Sequence, residues 1–390
     1  MTIARSYRNV RRHSGRFMLA CGCLAAQHRG RDRRALEQPN ETILQGEMLR
    51  FHGDGVTEGC IAGPARYRWL MRFLFVMDPP ESMLPDKDTS FAFMRGALAN
   101  GHECWWCLPK DVGCREGVVG VLAQRLVVSD AAPHITRFEQ RSFSDIELDA
   151  IFVRKDPPFD SAYLHLTQIL DLATERCFVF NAPRGLQAAN EKLLGFRFAS
   201  WMPKTLVASE PKALLDFLDS IGGHGVIKPL DGAGGFGVLQ LLRDDKNKKA
   251  IVDLLTLEGR CPALVQEYLP LVRSGDKRVL LLDGKLLGAI RRVPLADDIR
   301  ANIHVGGTVE PTTLSASEAR LVDEIGPTLS AMGLFFVGLD LIGDRLIEVN
   351  VTSPTGIQQL SRHLGRKLEG EVITWVERRV VELHSKRAHP

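Results

Sequence analysis

Asp340, Glu348 and Asn350 place three oxygen-bearing side chains in Phe335 to Gly356 (FFVGLDLIGDRLIEVNVTSPTG), an apolar run where a strand should be dry. Two carboxylates and an amide oxygen form a hard-ligand set suited to magnesium, which prefers oxygen and fills its remaining positions with water or substrate phosphates. Further upstream, Lys228 lies among apolar neighbours in Gly225 to Pro229. A buried ammonium there wants an anionic partner. It leads straight into Asp231-Gly232-Ala233-Gly234-Gly235-Phe236-Gly237. Glycines let the main chain come close to a polyanion, so that successive N–H groups line its oxygens. No Gly-Lys-Ser/Thr follows and no helix is launched, so this is a strand–loop–strand lid rather than a Walker loop. Gln266-Glu267-Tyr268-Leu269 then ends a strand and suits a purine edge held by main-chain groups between apolar side chains.

These groups must be positioned by strands. Phe335 to Gly356 reads as a hairpin turning at Gly343-Asp344. Glu348 and Asn350, two apart, share a face, with Val349 and Val351 on the other. A strict two-residue turn would set Asp340 opposite Ile347, so Asp340 joins that face only through a bulge or an odd-length connection. An exposed face of a half-buried hairpin also carries acids; the apolar flanks and the lysine and glycine loop upstream favour metal binding.

Upstream, Met71 to Met77 is an apolar strand, Ser90 is the expected cap of a helix running to Asn100, and His102 to Leu108 is the next strand. A polar, poorly periodic stretch follows, then a strand at Leu148 to Val153, a helix from Ser161 to about Glu175, and a strand at Cys177 to Phe180. This alternation implies a doubly wound parallel sheet. Arg154, Lys155 and Asp156 fall at a strand's carboxyl end, where such sheets gather ligands. Asn190-Glu191-Lys192 is expected to open a helix, Lys204 to Ala208 to form a strand, and Ser209-Glu210-Pro211 to cap a helix running to about Ser220. Asp283-Gly284 predicts a type I′ turn, Ser315 and Glu318 a capping box, and Glu369 to Leu383 a closing amphipathic helix.

The 390 residues suit two or three structural units of ordinary globular composition, and no apolar run approaches a membrane span. The first 70 residues hold twelve Arg, no Lys and six acids, an excess larger than the net +3 of the whole chain. The remainder is therefore mildly acidic and offers no basic field for nucleic acid. Residues 1–70 are expected to form a disordered Arg-rich extension, with a leader peptide as the lesser reading of Phe17 to Ala26. Eight cysteines without a spaced framework fit a reducing cytoplasm. Cys104-Trp105-Trp106-Cys107 has redox spacing, but its apolar setting reads as buried structural thiols.

From Met71 to about residue 383 the chain resembles the bacterial glutathione synthetases of the ATP-grasp superfamily. The resemblance rests on VMDP at 76–79, KDTSF at 87–91, RKDPPFD at 154–160, NEKL at 190–193, KPLDGAGG at 228–235, GDKRVL at 275–280, RVP at 292–294 and EVNVTSPTG at 348–356. It implies an N-terminal α/β domain (71–187), a central grasp subdomain with the lid (188–270) and a C-terminal subdomain with the metal site (271–390). The activity implied is ATP-dependent ligation of glycine to γ-glutamylcysteine through an acyl phosphate. Another ATP-grasp ligase, acting on a different peptide or protein carboxylate, is the alternative.

By resemblance, Lys192, Lys228, Gly232, Gly234, Gly235, Gln266, Glu267, Tyr268, Leu269, Asp276 and Arg278 would hold ATP. Asp340, Glu348 and Asn350 would hold magnesium, or manganese in its place. Arg292, Arg300 and Asn302 would receive the peptide carboxylates and the acyl phosphate, with Arg154 and Ser353 nearby, and Arg292, Arg300 and Lys228 would serve catalysis. Such enzymes are commonly homotetramers. Two departures stand out: Leu295 to Arg300 lacks the glycines often found there, and Gln187 replaces a frequent Arg.

Overall fold

The computed structural model describes residues 70–295 and 307–388. The Arg-rich extension, and Arg300 and Asn302, lie outside the described residues.

The N-terminal layer runs β1 (Arg72–Val76), α1 (Thr89–Ala99), β2 (Glu103–Cys107), β3 (Val112–Arg115), β4 (Val118–Val128), β5 (Ile135–Ser144), β6 (Ala150–Val153), α2 (Ser161–Asp171), β7 (Phe178–Phe180) and α3 (Pro183–Ala188). β1 pairs in parallel with β2 and β6, and β6 with β7. Each face of β1 is dry. Leu74 and Val76 join Tyr163, Leu166 and Leu170 of α2 on one side, while Phe73 and Phe75 join Phe91, Phe93 and Met94 of α1 on the other. Burial on both faces explains the unbroken apolar run of the strand.

Three sequence expectations change here. The stretch read as irregular holds β3, β4 and β5, which extend the sheet antiparallel. The strand β5 (ITRFEQRSFS) is exposed along nearly its whole length, so it carries no apolar face to read. Asp88, not Ser90, caps α1, because its Oδ1 accepts the Phe91 N–H at 2.7 Å, whereas Ser90 lies inside the helix and is buried. The Asn190-Glu191-Lys192 segment opens no regular helix; 3-10 turns follow at Leu194–Trp201.

The second sheet contains β8 (Thr205–Ala208), β9 (His224–Pro229), β10 (Leu239–Leu242) and β11 (Ala263–Glu267), in the order β10-β9-β11-β8. Its helices, α4 (Pro211–Ser220) and α5 (Lys248–Thr256), bury Leu214, Leu218 and Val252 against Ile227, Leu241 and Val265.

The third sheet, in the order β14-β13-β12-β15-β16, comprises β12 (Asp276–Leu282), β13 (Lys285–Val293), β14 (Thr308–Pro311), β15 (Phe336–Ile342) and β16 (Arg345–Asn350). Asp283 and Gly284 both take positive φ, 51° and 73°, as a type I′ turn requires. Between strands, α6 (Ala316–Ala331) opens with the predicted capping box: Ser315 Oγ accepts the Glu318 N–H at 3.2 Å, and the Glu318 carboxylate accepts the Ser315 N–H at 2.6 Å. Leu321, Val322, Ile325 and Leu329 of α6 pack under one face of this sheet, against Val279, Leu339 and Val349. The chain closes with α7 (Ile357–Leu364) and α8 (Leu368–Ala388). No described helix is long and apolar enough to cross a membrane.

Candidate active site

Two bulges set the chemistry of the third sheet. In the last hairpin Ile342 pairs with Arg345 and Leu341 with Leu346, but Asp340 then faces Glu348 because Ile347 is left unpaired. The hairpin before it repeats the device: Leu281 pairs with Leu286, Leu280 with Gly288, and Leu287 is skipped. Without these skips Asp276 would face Arg291 and Asp340 would face Ile347, since one residue of slip exchanges the faces of a strand. With them, Asp276 faces Arg292, and Arg278 faces Asp340. One face therefore carries Arg292, Asp276, Arg278, Asp340, Glu348 and Asn350 across four adjacent strands.

Charges on this row are matched closely. Arg278 grips Asp340 with two bonds of 2.6 and 3.0 Å. Arg292 bonds both oxygens of Asp276, one at 2.7 Å, and lies 3.1 Å from Asp340. Burial alone would raise the Asp340 carboxyl, yet two guanidiniums overcome it and hold this acid below the usual carboxylate range. Asp276, with a smaller share of positive charge, is pushed up by burial. Gly338 makes room for the grip, because a Cβ there would lie 2.9 Å from Arg278 Cδ.

Lys192 and Lys228 approach the same row from the lid side. Lys192 Nζ lies 3.2 Å from Glu348 and donates to the carbonyls of Leu230, at 3.4 Å, and Gly232 at the foot of the lid. Lys228 Nζ donates to Gln266 Oε1 at 3.1 Å. Burial pulls this ammonium below the ordinary lysine range, with Glu348 opposing. In the lid itself Gly237 takes φ +70°, and a Cβ would meet Pro229 at 2.8 Å, so glycine is required for the loop to fold back on its strand.

Two cavities adjoin along this face. The smaller, 120 Å³, is lined by Lys192, Lys228, Gly232, Gly234, Gly235, Gln266, Glu267, Tyr268, Leu269 and Asp276. The larger, 590 Å³, is lined by Arg154, Arg278, Arg292, Asn350 and Ser353. Asp340 and Glu348 line both. Arg278 thus belongs to the larger space rather than with the expected nucleotide groups. The purine-edge expectation narrows: Glu267 N–H is spent on Lys204 O at 2.8 Å and Tyr268 N–H on His224 O at 3.2 Å. Gln187 lines neither cavity.

Sequence reasoning missed Glu191. Its half-buried carboxylate accepts from Val351 N at 2.8 Å, Thr352 N at 3.0 Å and Thr352 Oγ1 at 2.9 Å. The signal was in the sequence, an acid beside Lys192 in the segment NEKL, but nothing local says that its partners lie 160 residues away. Burial, and Glu348 nearby, raise its pKa. Cys104 and Cys107 are buried, and burial drives both thiols far above the ordinary range, as structural thiols require.

The residues present fit a hard divalent cation. Like charges directly opposite on a strand pair repel; Asp340 and Glu348 offer carboxylate oxygens, and the Asn350 amide, whose Nδ2 donates to Gly338 O and to Asp340 at 3.1 Å each, adds its oxygen. Among the described residues no group of three or more His, Cys, Asp and Glu could hold a metal ion. An ion here would be held by two carboxylates and an amide.

Residues 71–187 match the family described as prokaryotic glutathione synthetase, N-terminal domain, and residues 191–365 match prokaryotic glutathione synthetase, ATP-grasp domain. The chain is 41% identical over 313 residues to a glutathione synthetase of Gloeobacter violaceus, covering 78% of this chain and 96% of that protein. It is 39% identical over 319 residues to one from Synechocystis sp., covering 79% and 99%. Among solved structures, D-cycloserine synthetase DcsG shares the fold with a TM-score of 0.54 at 16% identity, over 79% of this chain and 99% of that one. Two adjoining domain matches and relatives aligned along almost their full length agree: the chain belongs to the prokaryotic glutathione synthetase family of ATP-grasp ligases.

Proposed function

We propose that the protein joins glycine to the cysteinyl carboxylate of γ-glutamylcysteine, using ATP and releasing glutathione, ADP and phosphate. One observation carries this: Asp340 and Glu348 line both cavities, so a phosphoryl group in one can meet a carboxylate in the other.

In this reading Lys192, Lys228 and the lid N–H groups hold the triphosphate, and residues 266–269 hold the base. Asp340, Glu348 and Asn350 would seat magnesium. Magnesium, when bound, offsets negative charge on the transferring phosphoryl group. The cysteinyl carboxylate oxygen attacks the γ-phosphorus, and the bond to the ADP oxygen breaks. Arg292, fixed by Asp276 and Asp340, offers positive charge beside the new acyl phosphate. Glycine's amine then attacks the acyl carbon; phosphate leaves and the amine loses a proton. The lid excludes water, which would hydrolyse the anhydride. Arg300 and Asn302 retain their proposed part from the family resemblance. A homotetramer in the cytoplasm is proposed on the same footing, and the free thiols of Cys104, Cys107, Cys114, Cys177 and Cys261 suit a reducing compartment.

The test is glutathione and ADP formation by purified protein given γ-glutamylcysteine, glycine, ATP and magnesium. ADP release with a different acid, and none with this peptide, overturns the reading. Sedimentation tests the tetramer.

A further inference from the structure

The larger cavity has a charged feature that neither phosphoryl transfer nor metal binding uses. Arg154 is 5% exposed, and its guanidinium lies over the Phe93 ring at 5.6 Å. It donates from Nε to Ser90 Oγ at 3.2 Å and from a terminal nitrogen to Pro354 O at 3.1 Å. Both acceptors are neutral, and among the described residues Arg154 makes no ion pair. A buried guanidinium without a counter-charge, on a cavity wall, wants an anion from outside.

Asp88 lines the same wall. One of its oxygens caps α1 through Phe91 N at 2.7 Å, and the other makes no bond among the described residues. Burial pushes this carboxyl above its ordinary range, with the Arg154 charge opposing. Neighbouring acids are poorer sites for a cation: Asp78 is matched by Lys155 at 3.2 Å, and Asp156 is exposed. Two opposite charges therefore line one cavity, bridged by Ser90, which Arg154 bonds and which stands two residues from Asp88, yet they are not paired among the described residues.

Resting on the activity proposed above, we propose that Arg154 and Asp88 read the amino-acid head of the γ-glutamyl residue, Arg154 taking its carboxylate and Asp88 its ammonium. The juxtaposition is specific to linkage. Joined through its side-chain carboxyl, glutamate keeps an ammonium and a carboxylate on one carbon. Joined through its α-carboxyl, it carries them two methylenes further apart. A zwitterion on one carbon needs opposite charges side by side, and this wall supplies them. Asp88 and Arg154 are then specificity-determining residues for the peptide, remote from the transferred phosphoryl group.

Two analogues separate the halves: N-glutarylcysteine lacks only the ammonium, and N-(4-aminobutyryl)cysteine lacks only the carboxylate. For wild type, KM for each is expected to exceed that for γ-glutamylcysteine by about tenfold or more, the usual worth of a hydrogen bond to a charged group. Asp88→Asn keeps a good helix cap. It should raise KM for γ-glutamylcysteine toward the glutarylcysteine value, leave glutarylcysteine itself unaffected, and leave KM for ATP and glycine alone. Equal losses on both peptides would mean a structural role and overturn the proposal. So would wild type that makes glutathione yet accepts glutarylcysteine with the same KM, a comparison that needs no variant. Wild type that makes no glutathione overturns the activity and this inference together.

Discussion

Asp340 stands directly opposite Glu348 across the last hairpin because Ile347 is squeezed out of the ladder. Two carboxylates so placed repel, and the fold tolerates them because Arg278 lies 2.6 Å from one and Lys192 3.2 Å from the other. On the function proposed above, their opposition serves to seat a cation.

Glu348→Gln should expose that purpose. The substitution is isosteric; it relieves the repulsion with Asp340 but takes the counter-charge from buried Lys192, so the melting temperature should move little. Ligation should fall by at least about a hundredfold if a carboxylate at this position holds the cation that offsets charge on the transferring phosphoryl group. Glutathione formation and a thermal melt, run on one preparation, check both halves. Full activity at ordinary magnesium would remove Glu348 from the ligand set.

Arg278 and Asp340 form a buried pair, with side chains 6% and 7% exposed. Removing Arg278 leaves buried Asp340 with Arg292 as its remaining counter-charge, and Arg278→Met should cost about 3 kcal/mol in urea unfolding. Acid provides the second measurement. The Asp340 pKa is lowered in the fold, so its contribution is complete above the unfolded carboxylate value of about 4 and is lost as pH falls below it. Asp340→Asn should flatten the acid limb of the stability curve below about pH 4. An unchanged limb would mean the pair adds no pH-dependent stability.

Lys228 runs the other way. Its ammonium is disfavoured by burial and has one side-chain acceptor, Gln266. Lys228→Met should leave the protein without nucleotide as stable as wild type or more so, since an apolar group of similar length needs no solvation. The stabilisation that ATP confers in a thermal melt should shrink sharply, because among the described residues no carboxylate pairs with this lysine and a bound triphosphate would supply its counter-charge. A variant that loses stability without ATP, yet keeps the full ATP-dependent shift, would make Lys228 a structural residue.

How far the sequence discloses this site depends on which interactions are local. Asp283-Gly284, the Ser315 capping box and the apolar face of α6 are decided within a few residues, and the structure contains each as read. The Asp340 face could be stated only as a condition, since a bulge is a choice between two ladders that the chain permits equally well. Strand β5 is hidden because its partner β4 gives it hydrogen bonds but little apolar cover. Ser90 reads as a cap because serine and aspartate both serve, and the buried Arg154, which donates to its Oγ, gives the serine its place two residues past Asp88 in the first turn. Asn181 and Glu191 lie deepest out of reach. Their partners are at 335–336 and 349–352, so their roles exist only once the sheets have met.

Glu191 gives the sharpest test of that long-range kind. Its carboxylate takes three donors from Val351 and Thr352, and its own carbonyl accepts Val349 N–H at 3.0 Å, so one residue fixes the chain on both sides of Asn350. Asn181 Nδ2 holds Val351 O at 2.8 Å from the other direction. Glu191→Ala strands these donors and should cost about 2–3 kcal/mol, whereas Glu191→Gln keeps one acceptor oxygen and should recover part of it. A positioning role makes a further demand that simple packing does not. At saturating ATP and a temperature where the variant is fully folded, kcat should fall while KM for glycine holds, because the oxygens on β16 are displaced by a fraction of an ångström. If Glu191→Ala loses stability but turns over at the wild-type rate once folded, the residue only holds the sheets together.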